Sequence, residues 1–449
     1  MRKISKLSLV AAVAVAGFST ANAQPLEEAI KNVEVSGSVV YRYDNFHNSE
    51  KKDDNGNVTS DRGNTDVNRY KIGLNLSSTV NDYVKFNSRF IVGSQADGGF
   101  ASLNAGKEDN TDNTKGADGQ ADVSLSNAYF GFTAIPNTIV NIGKQGLTTP
   151  YTVATDINGN EQTGTGILAL TTVGPVTGGL GYFNNTNLNK STEINSSLGY
   201  TPKYLGLGNG PTDGVLSGGN DIYVATVQGD LDFVKLEAWY VGMQETFNTY
   251  TLAATGDIDL AEDAKIGLEA RYVNLKLKQD AANGLYTLTG GTNVQDAETK
   301  NDMIRLAVNG KVSIVNARVA YTQTGKKGGL TALDQDAKNA SLGWAITSNG
   351  VANAKYWQAA LGADILDNLN FTLNYGNLKS KEDENNPRDV ALYDLQGVKA
   401  QEIYGQLTYK MSKNLNTYLR YGTYTAKDYN SGDKFEDQTR GRIQVAYTF

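Results

Sequence analysis

Apolar side chains recur at every second position along most of this chain, and few folds tolerate that pattern over such a length. In the last eight residues, Ile443, Val445, Tyr447 and Phe449 alternate with Arg442, Gln444, Ala446 and Thr448. Near the start, Val33, Val35, Gly37, Val39, Tyr41 and Tyr43 oppose Glu34, Ser36, Ser38, Arg42 and Asp44. The same rhythm runs through 69–77, 84–92 and 415–421. Segments of about ten residues with period two are strands that have one apolar and one polar face. Helical spacing does not persist beyond the amino-terminal segment, although 25–32 has room for one helical turn.

The links between strands are ordered too. Short ones built of turn residues fall at 81–83, 135–137, 174–175, 229–230, 261–263, 309–310, 367–368 and 412–414. Longer polar ones alternate with them, near 47–68, 94–122, 146–166, 185–220, 242–247, 279–300, 323–354, 380–400 and 427–437. These 17 links define 18 strands, with 185–220 long enough to hide a further hairpin at 194–207. Short turns at one end and long loops at the other are how a transmembrane antiparallel β-barrel is built. A soluble sandwich or solenoid does not explain that alternation together with a terminal aromatic residue.

The amino terminus agrees with export. "MRKISKL" is basic, 7–18 is almost wholly apolar, and "STANA" ends on small residues. This is the layout of a signal peptide over 1–23, leaving a barrel over 24–449. The apolar run is too short to span a membrane as a helix. Removing three basic residues takes the formal charge from −7 to −10, which argues against nucleic acid as a partner. With no cysteine, neither disulfides nor thiolate chemistry is available. Only 39% of residues are hydrophobic, while Gly reaches 48 and Tyr 25. A barrel explains this, because only alternate residues need be apolar. The expected location is the outer membrane of a Gram-negative bacterium, with lipid around the barrel.

Catalytic and metal signals are weak. The single histidine, His47, sits at the edge of a polar link with no nucleophile or orienting group in view. "DDNGN" (53–57) resembles a calcium loop, but Val58 and Asn64 stand where such a loop needs Gly and Glu. The acidic stretch 107–122 lacks ligand spacing, and "TGTG" and "GLGNGPTDG" lack a phosphate-loop pattern. No enzyme is expected.

An 18-stranded barrel is too wide for its side chains to fill. A charge at mid-depth on the lipid side would cost about 2–4 kcal/mol, so strand arginines must look inward. The inward sets include Arg42, Arg69, Lys85, Arg89, Arg305, Arg318, Arg420 and Arg442, with Asp44, Glu237 and Glu269 as possible wall partners. A constriction needs a charged segment long enough to fold inward. The link 146–166, "GLTTPYTVATDINGNEQTGTG", carries Asp156 and Glu161 and no basic residue. The expected constriction sets Asp156 and Glu161 against Arg42, Arg89 and Arg420, giving a transverse field that favours small ions and polar solutes. The alternative is a loop that folds outward into solvent.

"LSLVAAVAVAGFSTANA", "PLEEAIKNVEVSG", "YRYD" and "NIGKQGL" resemble the Campylobacter-type major outer membrane protein, an epsilonproteobacterial general porin family. The "AYTF" ending also fits the wider porin terminus, which in outer-membrane proteins generally is read by the barrel-assembly machinery. The resemblance implies an 18-stranded homotrimeric porin that favours cations and holds its third loop in the lumen. It also implies calcium at the constriction, for which only Asp156 matches. The expected function is passive diffusion of ions and small hydrophilic solutes. A substrate-specific pore, supported by inward Trp239, Tyr418 and Tyr424, an adhesin and a barrel-embedded hydrolase are the alternatives.

Overall fold

The computed structural model describes residues 33–52, 58–60, 63–94, 99–103, 121–188, 219–288, 297–381 and 397–449. The expected leader (1–23), the expected turn at 25–32, the segments 53–57 and 107–120, and the hairpin weighed at 194–207 lie outside the described residues, as does "GLGNGPTDG".

Eighteen antiparallel strands form one closed barrel. They are β1 (Val33–Asn48), β2 (Gly63–Asn81), β3 (Val84–Gly93), β4 (Asp122–Phe132), β5 (Thr138–Gly146) and β6 (Thr163–Val173). Next come β7 (Val176–Thr186), β8 (Ile222–Leu231), β9 (Val234–Met243), β10 (Phe247–Ala261), β11 (Ala264–Leu277) and β12 (Lys300–Val312). The last six are β13 (Val315–Thr324), β14 (Ala354–Leu366), β15 (Leu369–Ser380), β16 (Val398–Lys410), β17 (Leu415–Asp428) and β18 (Lys434–Thr448). Each strand pairs with its neighbours in sequence, and β1 closes the sheet against β18 with Val39 opposite Tyr447 and Asp44 opposite Arg442. Closure leaves no row of unpaired amides, which a strand crossing lipid cannot carry.

Two short turns sit further along than their sequences suggest. Gly229 and Asp230 stay in the ladder opposite Leu236 and Lys235, and the chain reverses instead at 232–233, where Asp232 takes φ 63°. Asn309 and Gly310 remain paired with Arg318 and Ala317, and Ser313 turns at φ 53°. A wall strand has to keep its ladder to the membrane edge, and that demand overrides local turn preference. The expectation of no helix past the leader also needs correcting. Residues Gln279–Leu288 form α1 in the link 278–299, with its Ala281 and Ala282 buried.

The outward face is apolar, with Val35, Leu180, Leu252, Leu361 and Tyr421 all exposed. Toward the loop end the two faces exchange polarity. On β11, Leu268 and Tyr272 face out and Arg271 faces in, but one turn of the ladder later Asn274 and Lys276 point outward while Val273, Leu275 and Leu277 are buried inside. Phe247, Val241, Met243 and Met303 join them around Leu147, Tyr151, Leu330 and Leu333. The loop end of the barrel therefore holds a hydrophobic core of its own, and what it buries is chain from two links.

Candidate functional site

The first of these links is 147–162. Thr149 and Thr152 bridge across Pro150 and Tyr151 to make a tight reversal, and Thr155 bridges to Glu161. Between them the Asp156 carboxylate accepts from the amides of Asn158 (2.8 Å) and Asn160 (2.7 Å), which organises a second turn. Gly159 completes that turn at φ 82°, and a Cβ there would collide with the Phe100 ring. That conformation is open to glycine at little cost. At the far tip Tyr151 is fully buried and shares a 2.7 Å hydrogen bond with Thr251 of β10. The segment thus reaches from β5 to a strand well round the barrel.

Its acidic end is held by the wall of β1 to β4. Glu161 accepts from Lys71 Nζ at 2.6 Å, from Arg89 Nε and Nη2 at 3.0 Å each, and from Ser126 Oγ at 2.8 Å. Ser126 is available because the β3–β4 ladder steps from Arg89–Asn127 to Phe90–Leu125 and leaves it unpaired as a bulge. Arg42 donates to the Ile157 carbonyl at 2.8 Å and lies over the Phe100 ring at 4.2 Å. Lys71 also donates to the Gly159 carbonyl. Burial works against ionisation of Glu161, but Arg89 and Lys71 outweigh it and hold the carboxyl below its ordinary pKa. Arg42 and Arg89 therefore touch the loop directly. Arg420 meets neither Asp156 nor Glu161 and lies over the ring of Trp344.

Trp344 belongs to a second infolded link, 325–353, which lies inside the barrel and not among the outer loops expected over 323–354. Thr331, Ala332, Asp334, Ile346 and Asn349 are fully buried. The Leu333 amide donates to Tyr151 O (2.8 Å), that of Asn339 donates to Pro150 O (2.9 Å), and Gln162 Nε2 donates to Asp334, so the two links form one body. Arg305 ties this body to the opposite wall through the carbonyls of Ala340 (2.8 Å) and Lys338 (2.7 Å) while paired with Glu269 at 2.6 Å. Asp334 is buried beside Asp336 and near Asp156, which together push its carboxyl up to about 10. A signal for this fold was present: Leu330, Leu333, Ile346 and Val351 are apolar in a link where neighbouring loops are polar.

The remaining candidates are placed as follows. Asp44 pairs with Arg69 at 2.6 Å and with Arg442, and Glu237 meets Arg271 at 3.7 Å. Lys85 pairs with Glu34 at 3.3 Å in the open. Tyr418 and Tyr424 face inward beside Arg420 and Arg440, and Trp239 packs against the inner core. His47 is exposed at the loop end of β1. Asp156 does not suit a calcium ion in this arrangement. Both its oxygens accept N–H groups of its own turn, and the nearby Ile157 and Gly159 carbonyls accept from Arg42 and Lys71. A calcium shell needs six to eight oxygens free to turn inward. Among the described residues no three His, Cys, Asp or Glu side chains gather to hold a metal ion.

A closed 18-stranded barrel with charged links folded into its lumen is the construction of an outer-membrane channel. The Campylobacter major outer membrane protein family model matches residues 1–449, and the chain belongs to that family. It is therefore an outer-membrane barrel of the Gram-negative cell envelope, a setting that suggests passage of small solutes without chemistry. Among solved structures it is similar to OccAB3 of Acinetobacter baumannii (14% identity, 93% of this chain and 99% of that one, TM-score 0.63). It is also similar to the outer membrane protein OpdK of Pseudomonas aeruginosa (14%, 93% and 98%, TM-score 0.62) and to OpdL of the same organism (14%, 93% and 99%, TM-score 0.63). At that identity the likeness concerns the fold. No curated protein matches the chain.

Proposed function

We propose that the barrel is a passive, water-filled diffusion channel for ions and small hydrophilic solutes, that it favours cations, and that the level of link 147–162 sets its narrowest part. The observation that carries this reading is the span of that link, from Glu161 on the Lys71–Arg89 wall to Tyr151 on Thr251 of β10. A segment tied at both ends cannot swing aside under flow, so whatever passes must pass beside it. In this reading Asp156 and Glu161, with Arg42 and Arg89 against them and Arg420 on the neighbouring wall, set the potential at that level. The preference for cations is supported by the formal charge of −10 expected after leader removal and by Asp156 and Asp336 near the meeting of the two links, where Asp334 holds its proton and adds no charge.

The apolar outward face supports contact with outer-membrane lipid and assembly as a homotrimer. Terminal Phe449 supports delivery by the barrel-assembly machinery. Recording in planar bilayers under a salt gradient tests the reading. Ohmic steps arriving in threes with a reversal potential of cationic sign are expected, and neutralising Asp156 and Glu161 together should move that potential toward anions. Absence of conductance would overturn the channel and leave a surface adhesin.

A further inference from the structure

The second infolded link fixes one large aromatic residue against an arginine that has no carboxylate partner among the described residues. The amides of Trp344 and Ala345 donate to the Glu402 carboxylate, at 3.1 Å and 2.7 Å. Gly343 makes this possible, because a Cβ there would overlap Glu402 Oε1. The Trp344 ring then stands edge-on to Tyr404 (5.4 Å between centroids) and to Phe46 (6.2 Å). Beside it the Arg420 guanidinium carbon lies 5.2 Å from the Trp344 ring, 5.1 Å from Tyr404 and 5.4 Å from Tyr418.

The guanidinium is only partly used. Its Nε and Nη2 both donate to Gln406 Oε1, at 2.8 Å and 2.6 Å. Of five N–H groups, that leaves both on Nη1 and the outer one on Nη2; that outer one and its neighbour on Nη1 form the end-on fork. Among the described residues nothing accepts from that fork, and the Tyr404 hydroxyl has no partner there either. The buried indole Nε1 of Trp344 is likewise without a partner. Arg42 and Arg69 are committed elsewhere, to link 147–162 and to Asp44. Among the described residues Arg420 is thus a cation with no carboxylate and an unoccupied planar fork, bordered by three rings.

We propose that Arg420, with Trp344, Tyr404 and Tyr418, is a lumenal subsite for the carboxylate of a planar aromatic solute. The fork takes both carboxylate oxygens, and the rings lie against the body of the solute. Paired parallel N–H···O bonds are the strongest neutral-pH match to a guanidinium end. Rings add nothing for a bare inorganic anion, whereas they add buried area and edge-to-face contact for an arene. Such a subsite slows and concentrates one class of anion within a pore that otherwise passes cations.

This proposal rests on the channel reading, and the experiment separates the two. Potassium chloride conductance is recorded with purified full-length protein in planar bilayers while benzoate or acetate is added at constant ionic strength. Benzoate should reduce or interrupt the current in a saturable way, and acetate should need roughly tenfold more. Arg420→Gln should raise the half-effective benzoate concentration roughly tenfold or more. Arg420→Lys, which keeps the charge and loses the fork, should show most of the same loss. Trp344→Phe should retain the benzoate preference and Trp344→Ala should abolish it. Heat-dependent gel mobility establishes that each variant is folded, and quenching of tryptophan fluorescence by benzoate gives a readout independent of current. Equal responses to benzoate and acetate, or an Arg420→Lys variant that binds benzoate as the parent does, would overturn the subsite while leaving the channel standing. Absence of any potassium chloride conductance would remove both.

Discussion

Lys71 Nζ and Glu161 Oε1 lie 2.6 Å apart with 6% and 5% of their side chains exposed, so a link and a wall strand meet through a nearly dry ion pair. Arg89 completes it at 3.0 Å. Replacing one member of such a group leaves buried charge uncompensated, at a cost of about 3–5 kcal/mol. Glu161→Gln should therefore release the acidic end of 147–162, seen as added low-frequency current noise and faster protease cleavage within the link. Acid should imitate the variant. The folded carboxyl titrates below the ordinary value of 4.5, so its stabilisation is complete above 4.5 and disappears as pH falls through the lower, folded-state value. Quiet current down to about pH 2 would sink this prediction.

A second ion cluster stands at the seam where the barrel closes. Asp44 on β1 is almost wholly buried between Arg69 of β2 and Arg442 of β18. It holds both neighbours of the first strand, and without it two guanidinium groups face each other across β1. Asp44→Asn should lower the midpoint of heat-dependent gel mobility by several degrees, following the same range of about 3–5 kcal/mol for breaking a buried pair. Replacing Glu34, whose pair with Lys85 is open to water, should leave that midpoint within error, since exposed pairs contribute about 0–1 kcal/mol. Equal effects at the two positions would refute the distinction.

How much of this was legible in the sequence depends on which residues faced a uniform solvent. Where strands cross lipid, one face is always apolar, so Val35, Val39 and Tyr41 identified both the strand and the inward position of Arg42. Strand count and closure followed, because turn length is constrained at the same end of every hairpin. At the loop end the rule reverses: Asn274 and Lys276 meet water outside while Val273 and Leu275 meet protein inside. Period two survives there, but which face is apolar no longer says which face is lipid. The body made by 147–162 and 325–353 was half visible for that reason. Asp156 and Glu161 stood out as charges in a long link, whereas Leu333 and Ile346 signalled burial without saying against what. Contacts such as Gln162 with Asp334, 172 residues apart, depend on two links meeting in space and leave no local pattern.

The buried Asp334 carboxyl should produce a pH effect of the opposite sign to that of Glu161. Burial, Asp336 and Asp156 raise it from the ordinary 3.8 to about 10, so the folded state holds a proton that the unfolded chain releases. Its contribution is complete below 3.8 and is lost progressively as pH rises toward about 10. Heat-dependent gel mobility should therefore show falling stability between neutral pH and pH of about 10, and Asp334→Asn should flatten that slope. The asparagine keeps an oxygen for Gln162 and removes the charge. A slope unchanged by Asp334→Asn would assign the alkaline loss to other groups.

The chain ends on Phe449, whose amide and carbonyl both bond to Gly37 of the first strand, at 3.1 Å and 2.9 Å, while its ring stacks on Tyr447 at 5.8 Å. The last residue is therefore part of the closing ladder, not a frayed tail. A side chain at Gly37 has no room, since a Cβ there would meet the Gly73 carbonyl oxygen of β2 first and the Phe449 ring at 2.7 Å. Two variants separate ring from closure. Removing Phe449 takes away both the aromatic and a pair of hydrogen bonds, each worth about 1 kcal/mol. Gly37→Val keeps the terminal sequence but strains the β1–β2 ladder at Gly73 and forces the ring out of its seat. If the barrel is recognised during biogenesis through its carboxyl-terminal aromatic, deletion should sharply reduce the amount of folded protein in the outer membrane, whereas Gly37→Val should reduce heat stability more than yield. Molecules of either variant that do fold should carry the parental single-channel conductance, because Phe449 is exposed on the outward face whereas Glu161 and Tyr151 are buried inside. A deletion that assembles at parental yield would show that closure against Gly37 is the whole role of this residue.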